Sequence, residues 1–235
     1  YLTIECIPMF GHEGNLHIGG FPIYHAGEKT VHDQSLVPDY HEAFQRNQLI
    51  LARKYNREYY KHILRNNFER HVNFAGEPVP ARETARYKWA AENLVGEKVL
   101  EIGCSTGYGT QFLPESCNYT GIDYDRRIVE VAQQEFPLRQ FEWGDINTYN
   151  LGQYDTIIAF EVIEHLDNGL KIVEKLKKHC KRLLITLPYK EPPGFWGEHH
   201  KLHMLDESFL PGFKIMYCNE QGDLGNTPFE NTPFN

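Results

Sequence analysis

The polar residues with the clearest chemical meaning stand in a short loop near the middle of this sequence. Glu101 is the one charged residue in an apolar run that leads into a turn containing Gly103 and Gly107. Glycine adopts positive φ and lets a ligand lie directly against the main chain. Together with Cys104 and Ser105, these residues predict a ligand-binding turn that joins a strand to a helix.

Two carboxylates follow the next two apolar runs and indicate what the ligand is. Asp123 comes 20 residues after Gly103, the separation expected of an acid that accepts hydrogen bonds from ribose hydroxyls. Asp145 is suited to accept a hydrogen bond from an adenine amino group, and Ile146 beside it is suited to pack on the ring. Each acid taken alone is equally well explained as a helix cap or an exposed turn. In this order they predict a nucleoside site.

Two acids and a histidine follow the next predicted strand and form a second candidate centre. Glu161 and Glu164 are three residues apart and His165 is adjacent, so one turn of helix can direct all three toward one point. His200, from a later loop, would complete a set that suits magnesium, manganese or zinc. His165 is also the candidate general base, because imidazole titrates near neutral pH. A histidine that only caps or packs the following helix is an equally good interpretation.

Strand and helix patterns alternate through the second part of the chain and predict an α/β fold. Crossover connections are implied, and with them a doubly wound, mostly parallel sheet with helices on both faces. The predicted strands cover residues 98–103, 119–123, 139–143, 156–160 and 182–187, and the predicted helices cover residues 82–94, 125–136 and 170–180. Because ligands bind beyond the carboxyl ends of parallel strands, we expect the polar groups above at one edge of the sheet.

The sequence divides into three regions by pattern. They are an N-terminal loop and helical extension at residues 1–80, a catalytic region at 81–218 and an irregular tail at 219–235. In the first region we expect loop with a short strand at residues 2–7, then helix over residues 40–72, and we expect the region to contact substrate or a partner. A strand at residues 213–218 has no expected partner, because the tail repeats Asn-Thr-Pro-Phe and proline disfavours strands.

Composition excludes several classes of partner. The formal net charge is −8, which opposes the electrostatic capture on which duplex nucleic-acid binders rely. The five cysteines form no C-x-x-C pair, and their odd number argues against a disulfide framework, so a reducing cytoplasm is expected. No apolar run approaches the roughly 20 residues that a membrane span needs.

The whole pattern resembles the class I S-adenosylmethionine-dependent methyltransferases over residues 82–213. The family's motif, an acid followed by three alternate glycines, stands here as Glu101, Gly103, Ser105 and Gly107, with serine in place of the middle glycine. The resemblance implies a Rossmann-like fold and S-adenosyl-L-methionine as the cofactor. It further implies that residues 101–107, Cys104 included, surround the methionine moiety, Asp123 and Tyr124 the ribose, and Asp145 and Ile146 the adenine, while Phe160 and Glu161 close the site.

Within the family, the string from Glu161 to Leu166 is similar to ubiquinone-biosynthesis O-methyltransferases and to small-RNA 3′-end 2′-O-methyltransferases. Glu69-Arg70 and the run from Ala85 to Ala91, which precede the first predicted strand, and Gly107-Tyr108-Gly109, which follow it, are similar to methyltransferases that modify sugars and surface polysaccharides. We therefore expect an O-methyltransferase with a small-molecule or sugar/glycan acceptor.

Three alternatives stay open at this point. They are a metal-assisted RNA-end or polyphenol O-methyltransferase, a noncatalytic methyltransferase-like subunit that binds a partner, and a nicotinamide-dependent dehydrogenase. The last needs G-x-G-x-x-G, and Ser105 stands where its second glycine should be.

Overall fold

The computed structural model describes residues 73–195 and 199–229, together with two short strands near the N-terminus. The chain divides into two units, Tyr1–His71 and Val72–Asn235. The helices predicted over residues 40–72 and the strand predicted at residues 2–7 lie outside the described residues.

The first unit contains a short hairpin where loop was expected. Strands β1 (Asn15–Ile18) and β2 (Phe21–Tyr24) pair antiparallel, with Ile18 opposite Phe21. Two glycines separate the strands in the sequence, and Gly-Gly between two short apolar runs is a recognised hairpin signal. The expectation of unbroken loop after residue 7 was therefore wrong.

The second unit is built on a five-stranded parallel sheet, as the alternating pattern predicts. Its strands are β3 (Lys98–Ile102), β4 (Asn118–Asp123), β5 (Gln140–Trp143), β6 (Tyr154–Phe160) and β7 (Cys180–Thr186). They lie in the order β5-β4-β3-β6-β7, and every pairing between them is parallel. From β3 the chain first adds β4 and β5 on one side of the sheet and then crosses over to add β6 and β7 on the other side. The order of the strands therefore reverses between β3 and β6, and open α/β sheets bind ligands at such a switch point.

Helices cover both faces of this sheet, so the doubly wound prediction is confirmed. The helices are α1 (Ala81–Asn93), α2 (Arg126–Glu135) and α3 (Gly169–Lys177). On one face, Tyr87 and Ala90 of α1 and Val129 of α2 pack in one buried cluster with alternate strand residues. On the other face, α3 packs through Ile172 and Leu176. Asp125 begins α2 as predicted, its carboxylate accepting from the Arg127 N–H at 3.0 Å.

Two helix predictions need correction. The turn after β3 opens a 3₁₀ helix of five residues, Tyr108–Phe112, instead of an α-helix, and Pro114 follows it closely. Helix α3 ends at Lys177 instead of reaching Cys180, because Cys180 pairs with Tyr154 as the first residue of β7. Sheet pairing has thus extended the strand by two residues at the expense of the helix.

The C-terminal segment forms a hairpin that the sequence did not predict. Strand β8 contains only Tyr217–Cys218 of the expected 213–218, and it pairs antiparallel with β9 (Leu224–Gly225). The missing partner is therefore present, immediately before the first proline-containing repeat. This hairpin is a separate two-stranded sheet.

Among the described residues, none of the helices combines the length and the apolar character that crossing a membrane requires.

Candidate functional site

The turn after β3 has positive φ at three alternate residues. Gly103, Ser105 and Gly107 have φ values of 70°, 49° and 77°. Ser105, which stands in place of the middle glycine, therefore adopts a backbone conformation that glycine favours. A Cβ on Gly103 would collide with the side chain of Val162, and one on Gly107 would stand 2.6 Å from Cζ of Phe141. Both glycines are required by their surroundings.

Asp123, at the end of β4, ties this turn to the next loop. Its side chain is buried, with one carboxylate oxygen accepting from the Ser105 N–H at 3.1 Å and the other from the Asp125 N–H at 3.0 Å. Its main-chain carbonyl accepts from the Gly144 N–H at 3.0 Å. The carboxylate therefore fixes the shape of two loops at the carboxyl edge of the sheet.

Glu101, inside β3, lies beneath the turn in a closed polar pocket. Tyr87 donates its hydroxyl proton to one carboxylate oxygen at 2.5 Å, and Tyr119 donates to the other. Burial raises the pKa of Glu101 to about 7, against the two tyrosine hydrogen bonds, which lower it, and with a smaller contribution from the charge of Asp123. Glu101 is thus a carboxyl group whose charge can change near neutral pH.

The residues predicted to hold the nucleoside lie on adjacent loops. Asp145 is exposed, and its carboxylate accepts from the Asn147 N–H at 2.9 Å, whereas Ile146 is buried. Tyr124 is exposed, and its carbonyl accepts from the indole N–H of Trp143 at 2.8 Å. Cys104 is fully buried.

Glu161 follows β6 and contacts helix α1. Phe160, just before it, is buried with its ring 5.3 Å from that of Tyr87. Glu161 has a φ of 52°, and its carboxylate lies 2.8 Å from the Arg86 guanidinium and accepts from the Thr186 hydroxyl at 2.8 Å. Burial alone would raise the pKa of Glu161, but Arg86 and Thr186 together hold it below its usual value.

Glu164, His165 and His200 come together on the other side of this loop. The 3₁₀ helix Ile163–His165 carries the first two, and each of the three offers a donor atom within 4.8 Å of the others. The two imidazole rings meet edge to face with centroids 4.6 Å apart. Of the four residues predicted to hold a cation, three are therefore adjacent, while the carboxylate of Glu161 is paired with Arg86.

The carboxylate of Glu164 is the least compensated polar group of this cluster. It is fully buried, and neither oxygen has a hydrogen-bond partner in the described part of the chain. Burial raises the pKa of Glu164 well above its usual value, and the charge of Glu161 raises it further. A buried carboxyl group in this state is either neutral or beside a cation.

Several residues that shape the site were missed from the sequence. Tyr87 and Tyr119 hydrogen-bond to buried Glu101, Arg86 pairs with half-buried Glu161, and Glu191 contacts His200 from a loop after β7. Tyr119 was placed in a strand without a role, and nothing in the run that contains Glu191 marks it. Contacts between residues so far apart in the chain have no local signal.

Comparison with protein families identifies the region that carries this site. Residues 100–182 match the family described as "Methyltransferase domain", Methyltransf_12. The match begins inside β3 and ends inside β7, so it includes the turn, the nucleoside loops and the 3₁₀ helix of Glu164.

Curated proteins similar to this chain are named as methyltransferases. A probable S-adenosylmethionine-dependent methyltransferase of Mycolicibacterium smegmatis is 29% identical over 106 residues, covering 44% of this chain and 40% of that protein. A ubiquinone biosynthesis O-methyltransferase of Vibrio parahaemolyticus is 30% identical over 95 residues, covering 35% of this chain and 39% of that protein. The chain thus spans about 40% of the length of these two relatives.

Solved structures with a similar core include magnesium protoporphyrin IX methyltransferase from Synechocystis with bound S-adenosylmethionine. That match is 22% identical with a TM-score of 0.39 and covers 46% of this chain and 56% of the other. No functional conclusion follows from a likeness at that level. Residues 100–182 of this chain therefore match a methyltransferase domain, and the relatives that it resembles are named as methyltransferases.

Proposed function

We propose that this protein transfers the methyl group of S-adenosylmethionine to a hydroxyl oxygen of a small-molecule or sugar acceptor. The observation that carries the proposal is the turn at residues 103–107, in which three alternate positive φ values lie beside the buried carboxylate of Asp123. Positive φ turns the chain sharply at the end of β3, and Asp123 follows Gly103 at the sequence separation expected of an acid that binds ribose hydroxyls.

The residues present fit the cofactor. Asp123 ends β4 with its carboxylate beside the Ser105 N–H of the turn, where an acid for ribose hydroxyls is expected. Exposed Asp145 and buried Ile146 lie on the loop after β5, as a polar and an apolar contact for adenine. Glu101, beneath the turn, is an acid near the place where the cationic methionine moiety would lie.

The chemistry required of the protein is modest. When bound, the cofactor supplies a methyl group on a positively charged sulfur, which is a good leaving group. The acceptor oxygen forms a bond to the methyl carbon, the carbon–sulfur bond breaks with its electron pair left on sulfur, and the hydroxyl proton goes to a base. The protein therefore needs to align the acceptor and take one proton.

His165 is suited to take that proton. Its Nδ1 lies 3.3 Å from the carbonyl of His199. Because a carbonyl only accepts, the proton of neutral His165 belongs on Nδ1, and the basic lone pair is on Nε2. The proposal of oxygen as the methylated atom draws support from the relatives named ubiquinone biosynthesis O-methyltransferases.

Calorimetric titration with S-adenosylhomocysteine tests the cofactor site. Asp123→Ala removes a hydrogen bond from an ionised group, roughly 1.5–3 kcal/mol, so affinity is expected to fall about ten- to a hundredfold. Glu174→Gln, which neutralises an exposed acid on α3, is the control and is expected to bind like the wild type. Unchanged affinity in a folded Asp123→Ala protein contradicts the assignment.

Turnover tests the reaction. The protein is incubated with methyl-labelled S-adenosylmethionine and a panel of phenols, sugar nucleotides and RNA 3′ ends. Label is expected in a phenol or sugar product, and His165→Gln is expected to lower kcat while leaving the affinity for S-adenosylhomocysteine unchanged. Binding without transfer to any acceptor would support a noncatalytic subunit instead.

The cluster of Glu164, His165 and His200 favours a second candidate, a metal-assisted O-methyltransferase. One carboxylate and two imidazoles within 4.8 Å of one another fit a divalent cation, and the unpartnered buried oxygens of Glu164 among the described residues fit it as well. These three residues would hold the ion, which would lower the pKa of an acceptor hydroxyl. Full activity after exhaustive chelation would exclude this candidate and leave His165 as the base.

A further inference from the structure

Glu191 is a buried acid that the proposed reaction does not yet use. It lies in the loop after β7, with only 1% of its surface exposed. Its main-chain carbonyl accepts from the Met204 N–H at 2.8 Å, and the neighbouring Lys190 N–H donates to the Leu205 carbonyl at 2.8 Å. The two segments are therefore held side by side, with Glu191 fixed next to the segment that begins near His200.

The side chain of Glu191 meets one particular atom of His200. Its Oε2 lies 2.6 Å from Nδ1 of that ring, and the two side chains are 1% and 12% exposed. A carboxylate in this position accepts the proton that Nδ1 carries. Neutral His200 is then the tautomer with its proton on Nδ1 and its lone pair on Nε2.

A hydrogen-bond acceptor also fixes the tautomer of His165. Its Nδ1 lies near a main-chain carbonyl, so its lone pair is also on Nε2. The two rings contact each other, and both lie within reach of the buried carboxylate of Glu164. Two acceptor groups of different kinds thus select the same tautomer in two adjacent imidazoles.

We propose that Glu191 is a positioning residue that holds the Nε2 lone pair of His200 toward Glu164 and His165. His200 thereby becomes a second electron-pair donor of the site, for the proton of the acceptor hydroxyl or for a divalent cation. A hydrogen-bonded carboxylate fixes the orientation and the tautomer of the ring. The inference deepens the proposed function, because it concerns the same edge of the sheet.

Nitrogen-15 NMR of the histidine rings tests the inference without acceptor, cofactor or metal. Long-range proton–nitrogen spectra, recorded above the pH at which the imidazoles are charged, distinguish a protonated ring nitrogen from one with a lone pair. His200→Gln identifies the signals of His200. His179 is an internal control, since its Nδ1 lies 2.8 Å from the Gly152 carbonyl, far along the chain from the site.

The expected result is a proton on Nδ1 of His200 in the wild type. Glu191→Met, which keeps the length of the side chain and removes the acceptor, is expected to shift most of the His200 population to the Nε2-protonated form, with the signals of His179 unchanged. A His200 that is protonated on Nε2 in the wild type overturns the inference even if the variant fails to fold. So does a folded Glu191→Met protein with unchanged His200 signals.

The proposed function is tested separately by the titration with S-adenosylhomocysteine. A protein that binds the cofactor analogue but has the opposite His200 tautomer refutes the role of Glu191 alone. A protein with the expected tautomer that does not bind the analogue refutes the proposed function alone.

Discussion

Replacing Glu101 by Gln is expected to remove a large part of the pH dependence of folding stability. Glu101 is a carboxyl group inside β3 with 1% of its surface exposed, and burial raises its pKa from 4.5 to about 7. The unfolded chain releases this proton near pH 4.5, whereas the folded chain keeps it up to about pH 7. Between those values the folded state binds the extra proton, so Glu101 lowers the free energy of unfolding as pH rises.

The size of this effect follows from the two pKa values. At about 1.4 kcal/mol per pH unit, the interval from 4.5 to about 7 corresponds to roughly 3 kcal/mol. The wild type is fully stabilised by neutral Glu101 below pH 4.5 and has lost this contribution above about pH 7. Gln has nearly the shape of the neutral acid and does not ionise, so at every pH its amide oxygen can accept from one tyrosine hydroxyl while its amide N–H donates to the other.

Urea denaturation at about pH 5 and pH 8 measures the difference. The free energy of unfolding of wild type minus that of Glu101→Gln is expected to fall by about 2–3 kcal/mol between the two conditions. Other titrating groups cancel in this comparison. Glu97→Gln removes an exposed carboxylate nearby and is expected to retain the wild-type dependence. Parallel curves for wild type and Glu101→Gln would refute the reasoning.

Three further outcomes are expected. Gly107→Ala should lower the free energy of unfolding by about 1–3 kcal/mol, because the new Cβ would lie 2.6 Å from Phe141. Gly194 has a similar φ and no described atom within 4 Å of an added Cβ, so Gly194→Ala should lower the free energy of unfolding by less, and thermal denaturation compares the two variants. Arg86→Met should destabilise by about 2 kcal/mol, and by less in a Glu161→Gln background, where Arg86 still pairs with Glu83 at 3.2 Å; a double-mutant cycle measures the difference. NAD at sub-millimolar concentration should not displace S-adenosylhomocysteine, because Ser105 stands where the dinucleotide motif has its second glycine. Displacement in a competition titration would instead favour a nicotinamide-dependent dehydrogenase.

The parallel sheet was predictable because its strands carry their own signal. β3 and β6 are buried on both faces, so they appear in the sequence as short continuous apolar runs bounded by turns. Asp125 marked the start of α2, since an N-cap depends only on its neighbours in the chain. Boundaries set by sheet pairing were less accurate, as the early start of β7 at Cys180 demonstrates.

The geometry of the candidate site was predictable where it depends on the main chain. Gly103 and Gly107 reveal a turn with positive φ because few other residues adopt it, and Ser105 keeps that geometry without revealing it. The acids at strand ends were found by position alone. The contacts of each acid could not be predicted in the same way. Glu161, for example, pairs with Arg86, which lies 75 positions earlier, and this pairing depends on how α1 packs on the sheet.

The last strand of the sheet, β7, sets a limit on how this protein can be handled. Among the described residues it pairs with β6 on one side and with no strand on the other, where its main-chain groups can pair with a strand from a second molecule. Lys181 and Arg182 are exposed at its start, where their charges oppose such pairing. Leu183 and Ile185 are only partly buried and lack that protection. Self-association at high concentration is therefore expected to begin at the second half of β7.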